Sequence, residues 1–242
     1  MYSLLVAAAG LGTRMAGNLP KALVPYRGRP LIEASIAGLV SSAAEVVIVA
    51  RPEAVPQFEQ HLSSDLLRKS RFVVQDEAAG TSWAVALGLR ECRRPRTFAM
   101  WADHVGGGHF TSTQTADLLA RGRESDIVVP VVYRKDPYAY LEIDADGSIS
   151  AFWETRRGAA RVVSGWSDCG TFLLATKRVQ GFLEGYLAEN DESDANFLHC
   201  FASAAKQGLT VRAVDVGDPE LTVGINSQED LLAYCARTQS EN

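Results

Sequence analysis

The sequence predicts a three-layer α/β/α fold: a mostly parallel sheet covered by helices on both faces, with a small inserted β-hairpin region. Three observations predict it. Short apolar, β-prone runs alternate with amphipathic helical patterns through the first half of the chain. A glycine-bearing turn at Gly10 and Gly12 follows the first of these runs directly. In the second half, two strand-like runs face each other across Asp144-Ala145-Asp146-Gly147, which reads as a hairpin turn rather than a metal-binding DxD pair. At 242 residues with 47% hydrophobic content, the chain is read as a single domain over 1–242.

The elements follow in order. Strands are expected over 4–8, 45–50, 71–75, 97–102 and 126–133, each a short apolar run bounded by turn residues. Helices are expected between them, over 30–42, 52–67, 80–91 and 110–121. Pro30 and Pro52 suit first helical positions, because an amide hydrogen there would be unpaired anyway. Strand-helix alternation of this kind implies right-handed crossovers between parallel strands. Runs over 139–143 and 148–154 form the hairpin, 170–175 returns to the core, and 209–216 is a further strand. Helices are expected over 177–188, 193–207 and 226–236.

Composition removes several function classes. A net charge of -5 lacks the broad basic surface that general nucleic-acid binding needs. The apolar run near the N-terminus stops at Gly10 after about seven residues, too short for a signal core or a membrane span, so a cytoplasmic protein without a membrane partner is expected. Cys92, Cys169, Cys200 and Cys235 are widely spaced, form no CxxC pair, and read as reduced thiols. His61, His104, His109 and His199 show no metal-ligand spacing, and His104 reads as a neighbour of Asp103 rather than a ligand. No repeat of solenoid period and no hexapeptide pattern occurs.

Chemistry concentrates at the opening: Ala8-Ala9-Gly10-Leu11-Gly12-Thr13-Arg14-Met15, then Pro20-Lys21 and Gly28-Arg29-Pro30. Two glycines let the backbone turn tightly and aim successive amides at phosphate oxygens. Arg14 can grip two of those oxygens with its planar guanidinium, while Lys21 acts as a compact point charge. A dinucleotide GxGxxG would need glycine where Met15 stands, and no GxxxxGK[ST] occurs. In open α/β sheets ligands sit outside the carboxyl ends of the strands. Asp103 ends such a strand after Phe98-Ala99-Met100-Trp101-Ala102, where a carboxylate could hold Mg²⁺.

The opening resembles the signature of the sugar-phosphate nucleotidyltransferases (MobA-like NTP transferases), particularly the uridylyltransferase domain of the bacterial N-acetylglucosamine-1-phosphate enzyme. Its consensus LAAGxGTRM, then PK, then G[KR]P, is matched here except that Ala7 replaces the leucine. The resemblance implies a Rossmann-like sheet of the nucleotide-diphospho-sugar transferase type. It implies a nucleotide-binding half over about 1–133, an acceptor-binding half over 134–225 and a C-terminal helix over 226–238. By the same resemblance Ala8, Ala9, Gly10, Gly12 and Thr13 cradle the triphosphate, Arg14 and Lys21 are catalytic, and Asp103 with Asn226 of Val223-Gly224-Ile225-Asn226 holds Mg²⁺. Asn226 could instead cap the final helix in a box with Glu229, or leave that task to Ser227. Gln75, Gly80 and Thr81 occupy the base-reading positions, and the family's usual histidine nearby is replaced by Trp83, read as packing.

The acceptor side departs from the pattern. Tyr140, Glu154 and Thr171 fall at acceptor-binding positions, but Leu141 stands where a glycine would approach the sugar, and Cys169-Gly170-Thr171 replaces NTG. These changes point away from N-acetylglucosamine 1-phosphate, because buried polar groups left unpaired penalise the wrong ligand. Arg156, Arg157 and Arg161 read as a solvated basic loop, or as contacts to an extra acidic group, with Trp153 and Trp166 as packing around them. The expected reaction moves NMP from a pyrimidine NTP, UTP or dTTP, to a sugar 1-phosphate or similar phosphorylated small molecule, releasing pyrophosphate. The phosphate nucleophile is already ionised at neutral pH, so no general base is required. The alternatives are a cytidylyltransferase for a non-hexosamine phosphate or a phosphonate, and a non-catalytic nucleotide-binding regulatory module. A nucleotide-sugar glycosyltransferase would want an acid where Val105 stands.

Overall fold

The computed structural model describes residues 1–10, 19–76, 79–190 and 196–239. In chain order the elements are β1 (Tyr2–Ala7), β2 (Pro25–Tyr26), β3 (Arg29–Pro30), α1 (Leu31–Val40), β4 (Ala43–Ala50), α2 (Val55–His61), α3 (Ser64–Lys69) and β5 (Ser70–Val74). There follow α4 (Thr81–Glu91), β6 (Arg96–Trp101), α5 (Ser112–Arg121), β7 (Ile127–Lys135), β8 (Ala139–Ile143), β9 (Ile149–Glu154) and β10 (Ser164–Asp168). The chain ends with β11 (Thr171–Ala175), α6 (Thr176–Glu189), α7 (Phe201–Lys206), β12 (Val211–Asp215) and α8 (Gln228–Gln239).

One sheet runs in the order β5-β4-β1-β6-β11-β7-β10-β8-β9, with β12 also paired to β7, while β2 and β3 form a separate small hairpin. The pairs β5/β4, β4/β1, β1/β6 and β7/β12 are parallel. β11 is antiparallel to both β6 and β7, and β10 and β9 also run against their neighbours. The strands that open on the site therefore share one direction, and the reversed β11 sits between two of them.

Period-two alternation distributes each strand between two layers. On β1, Leu4 and Val6 join Ile36, Ile48, Phe58 and Phe98 on one face, while Leu5 joins Val47, Val85, Leu89 and Ala99 on the other. Helix α4 lies close because position 88 is glycine, where a Cβ would overlap the Leu5 side chain. A third cluster, with Tyr26, Leu31, Val105, Ile225 and Tyr234, fastens α8 over a 3-10 turn at Val105–His109. Among the described residues no helix is long and apolar enough to cross a membrane.

Several elements differ from the sequence expectation. The helix expected over 52–67 is broken into a 3-10 turn, α2 and α3, with Leu62 extended between the last two. Phe110 lies outside α5, because Thr111 and Gln114 build a capping box that fixes the start at Ser112. The helix expected over 193–207 is a 3-10 turn at Phe197–Cys200 followed by the short α7, and residues 191–195 are outside the described set. Pro30 is the residue before α1 rather than its first. β10 has no counterpart in the sequence reading, since Ser164-Gly165-Trp166-Ser167-Asp168 carries only one large apolar residue.

Candidate active site

The cleft opens where β1, β6 and β5 end. Ala8 and Ala9 continue β1, with the Ala8 amide donating to the Val49 carbonyl at 2.8 Å, and the exposed Gly10 follows. Gly12, Thr13 and Arg14 lie outside the described residues. Lys21 begins a 3-10 turn at Lys21–Leu23 whose Ala22 and Leu23 are buried, which anchors the lysine at the cleft wall. Asp103 follows β6, and Lys21 Nζ donates to Asp103 Oδ2 at 2.5 Å, with side chains 15% and 26% exposed. Two residues 82 positions apart in sequence thus form one ion pair at the mouth of the sheet.

Asn226 reaches the same place from the loop before α8. The Ile225 amide donates to the Asp103 carbonyl at 2.8 Å, and the Gly106 amide donates to the Val223 carbonyl at 3.2 Å, so the two loops are zipped together. Ser227 caps α8: its hydroxyl accepts from the Asp230 amide at 3.1 Å, and Asp230 accepts from the Asn226 and Ser227 amides. The Asn226 side chain is therefore not the cap, and Asn226 lines the cleft with Asp103. Among the described residues no group of three or more His, Cys, Asp or Glu could hold a metal.

The cleft has a volume of about 390 Å³, and Gln75, Gly80 and Thr81 are among the residues that line it. Gln75 extends β5 through its amide bond to the Ala50 carbonyl at 2.9 Å. Its side chain is buried, and Nε2 donates to the Gly80 carbonyl at 3.4 Å while Oε1 has no partner among the described residues. Gly80, at φ +87°, precedes α4 in a conformation that other residues rarely adopt. The Thr81 hydroxyl accepts from the Phe197 amide at 2.9 Å, tying the turn at Phe197–Cys200 to the start of α4.

Tyr138, Phe152, Glu154, Asp168 and Asn196 also line the cleft. The Glu154 side chain is 2% exposed, and its Oε2 is 2.9 Å from His199 Nε2 and 3.3 Å from Arg157 Nε. A histidine-carboxylate pair thus exists that sequence motifs did not reveal, although His199 is not among the lining residues. Arg157 pairs with Glu154 while its own side chain stays 41% exposed. Trp153 donates to Glu142 at 2.9 Å, Trp166 packs edge-on against Tyr133, and neither lines the cleft.

Two of the expected acceptor-side residues are not brought to the cleft. Tyr140 alternates away from the buried Ala139 and Leu141, its hydroxyl donates to the Ala160 carbonyl at 3.2 Å, and it does not line the cleft. Thr171 is wholly buried in β11 opposite Met100, and the preceding Cys169 is equally buried. The cleft is met instead by Tyr138 and by Asp168, before the turn at Gly170 with its φ of +60°. Burial pushes the Asp168 carboxyl above the usual carboxylate range, against the opposing pull of His104 and of the Gly170 amide, which donates to it at 2.7 Å. Asp168, Tyr138, Ala139, His104 and Asn226 also border an adjoining cavity of about 450 Å³, which includes Arg134.

Residues 4–198 match the family model of the MobA-like NTP transferase domain. Among curated proteins, the chain is 27% identical over 233 residues to the bifunctional protein GlmU of Chromohalobacter salexigens, covering 95% of this chain and 50% of that one. It is 27% identical over 237 residues to GlmU of Ruegeria sp., covering 96% and 51%. The chain spans about half the length of these curated relatives. Among solved structures it superposes on the inositol-1-phosphate CTP transferase from T. maritima with a TM-score of 0.74 and 18% identity, covering 100% of this chain and 96% of that one. A putative glucose-1-phosphate thymidylyltransferase from Bacillus anthracis gives a TM-score of 0.76 at 16% identity, covering 99% and 96%. At such identities the superpositions establish the shared fold.

Proposed function

This chain belongs to the MobA-like NTP transferase domain family of nucleotidyltransferases, and from that premise we propose that it transfers NMP from a pyrimidine NTP, UTP or dTTP, to a sugar 1-phosphate or sugar-like phosphate. The observation that carries the proposal is the meeting of Lys21, Gln75, Asp103 and Asn226 in one cleft at the carboxyl ends of parallel strands. Reduced, mostly buried thiols support a cytoplasmic setting.

In the proposed reaction an acceptor phosphate oxygen attacks the α-phosphorus of the NTP. The bond to the β-phosphate oxygen breaks, and pyrophosphate leaves with its electron pair. The acceptor phosphate, with a second pKa near 6, needs no general base. Lys21 binds the α-phosphate and the incoming phosphate, holding the two reacting groups together. Arg14 and the amides of residues 10–13 take the triphosphate. The buried Gln75 Oε1, without a partner among the described residues, accepts an N–H from the base edge, while Gly80 lets the base approach the backbone.

Asp103 and Asn226 suit Mg²⁺: they offer a carboxylate and an amide oxygen on one cleft wall, and this ion takes one or two protein oxygens beside water and phosphates. When bound, Mg²⁺ supplies charge neutralisation on the triphosphate. Lys21 forms an ion pair with Asp103. A second reading, a cytidylyltransferase for a non-hexosamine phosphate or phosphonate, draws support from Leu141 in place of an acceptor-facing glycine and from the acid at Asp168. Pyrophosphate release measured with each nucleoside triphosphate against a panel of phosphorylated and phosphonylated acceptors tests both. Release with UTP or dTTP and a sugar 1-phosphate supports the first reading, and release only with CTP supports the second. Nucleotide binding without release from any acceptor would leave a regulatory module.

A further inference from the structure

His104 sits at the crossing of three segments. It follows Asp103 in the chain and borders both cavities. Its ring is gripped by two glycines from elsewhere. A Cβ built at Gly170 would overlap the Nδ1 side of the ring, and one at Gly224 would lie 2.7 Å from Nε2 and 2.9 Å from Cδ2. Both separations are below what real side chains tolerate, so each backbone touches the imidazole directly.

The chain positions of these contacts matter. Asp168 lies two residues before Gly170, and its carboxylate accepts from the Gly170 amide. Asn226 lies two residues after Gly224, and the intervening Ile225 amide donates to the Asp103 carbonyl. Nδ1 is buried with no hydrogen-bond partner among the described residues, so on that side packing rather than a hydrogen bond fixes the ring. A close-packed ring transmits position because its neighbours have no space into which to relax.

We propose that His104 is a positioning residue whose imidazole, clamped between Gly170 and Gly224, sets the spacing of Asp103, Asp168 and Asn226 around the cleft. Gly170 is required twice over, by its contact and by its φ of +60°. Gly224 has no such backbone demand, which makes it the cleaner probe. His104→Ala opens a space that an added methyl at position 224 can enter, so the two substitutions should couple.

The inference rests on the donor-side reading of Asp103 and Asn226. Its test is a double-mutant cycle of His104→Ala and Gly224→Ala. Calorimetry reads the affinity for Mn²⁺ together with a non-hydrolysable UTP analogue, and denaturant unfolding reads the fold. Each single variant is expected to bind the metal-nucleotide pair at least tenfold more weakly while still unfolding cooperatively. The double variant should bind no more weakly than the worse single. In turnover, the loss should fall on the KM for nucleotide more than on kcat. Should His104→Ala fail to fold, Gly224→Ala alone reads the same spacing. Singles that bind like the unaltered protein, or effects that simply multiply in the double variant, would overturn the positioning role. If the unaltered protein binds neither this analogue nor the corresponding CTP analogue together with Mn²⁺, the donor-side reading itself fails and His104 has no such site to position.

Discussion

Replacing Lys21 by methionine separates the two roles assigned to its ammonium. In the structure Lys21 Nζ lies 2.5 Å from Asp103 Oδ2, and the two side chains are 15% and 26% exposed. An exposed pair is worth up to about 1 kcal/mol. Stripping the partner from a fully buried charge costs about 3–5 kcal/mol. A pair roughly four-fifths buried falls between, so Lys21→Met should leave Asp103 undercompensated by about 2 kcal/mol. A divalent cation can restore that compensation once the competing ammonium is gone. The expected result is tighter binding of Mn²⁺, a spectroscopic stand-in for Mg²⁺, to the nucleotide-free protein, by about 30-fold if the whole difference is recovered. An electron-paramagnetic-resonance titration of free Mn²⁺ reads this directly, with Asp103→Asn as the control that loses binding. Turnover should fall at least 100-fold in the same variant, since no cation then bridges the reacting phosphates. An unchanged or weaker Mn²⁺ affinity in Lys21→Met would show that lysine and metal do not share Asp103, and would refute the assignment.

Gln75→Met removes a buried amide whose Oε1 has no partner among the described residues, so thermal stability should hold or rise slightly while the KM for nucleotide rises about tenfold; a fall in melting temperature with unchanged KM would contradict the base-reading role. Gly108→Ala would drive a Cβ into the Ala34 carbonyl of α1, a backbone atom that cannot step aside, and should cost about 1–3 kcal/mol, seen as a melting shift of several degrees. By contrast Gly185→Ala, in the middle of α6 with open space around it, should stabilise by about 0.5–1 kcal/mol. At Glu45 burial pushes the carboxyl pKa up, but bonds from the Ser3 hydroxyl and the Arg93 amide and the charge of Arg71 outweigh it, and the net shift is downward. A depressed carboxylate contributes stability that is complete above its unfolded pKa of about 4.3 and is lost as pH falls through its folded value. The stability gap between the unaltered protein and Glu45→Gln, measured by urea unfolding, should therefore shrink as pH is lowered from 6 to 3, and a constant gap would count against the network.

What the sequence disclosed, and what it hid, follows from how each half of the sheet is built. Strands β1, β4 and β6 are buried on both faces, so they read as plain apolar runs whose ends are marked by Gly10, Arg51 and Asp103. Parallel order then brings those ends together, which is why Lys21 and Asp103, 82 positions apart, could be expected in one cleft from sequence order and motif, although their ion pair could not. The proposed acceptor side is made of β8, β9 and β10, antiparallel strands with one partly exposed face, and there a shift of one residue reverses which side chain faces the cleft. At Cys169-Gly170-Thr171, aligned with NTG, the turn at Gly170 leaves Asp168 on the cleft and sends Cys169 and Thr171 into the core, a placement that no local motif conveys. Tyr140 was likewise separated from the cleft by strand alternation, while Tyr138, just before β8, was not constrained by it. His104 was visible only as the residue beside Asp103, since its meaning lies in two glycines 66 and 120 positions further on, and no local pattern encodes such a meeting. The proposed donor side is thus legible in motifs, because phosphate chemistry constrains the residue types it needs. The proposed acceptor side depends on contacts such as Glu154 with His199 and Arg157, and on Asp168 beside His104, which exist only once the chain has folded.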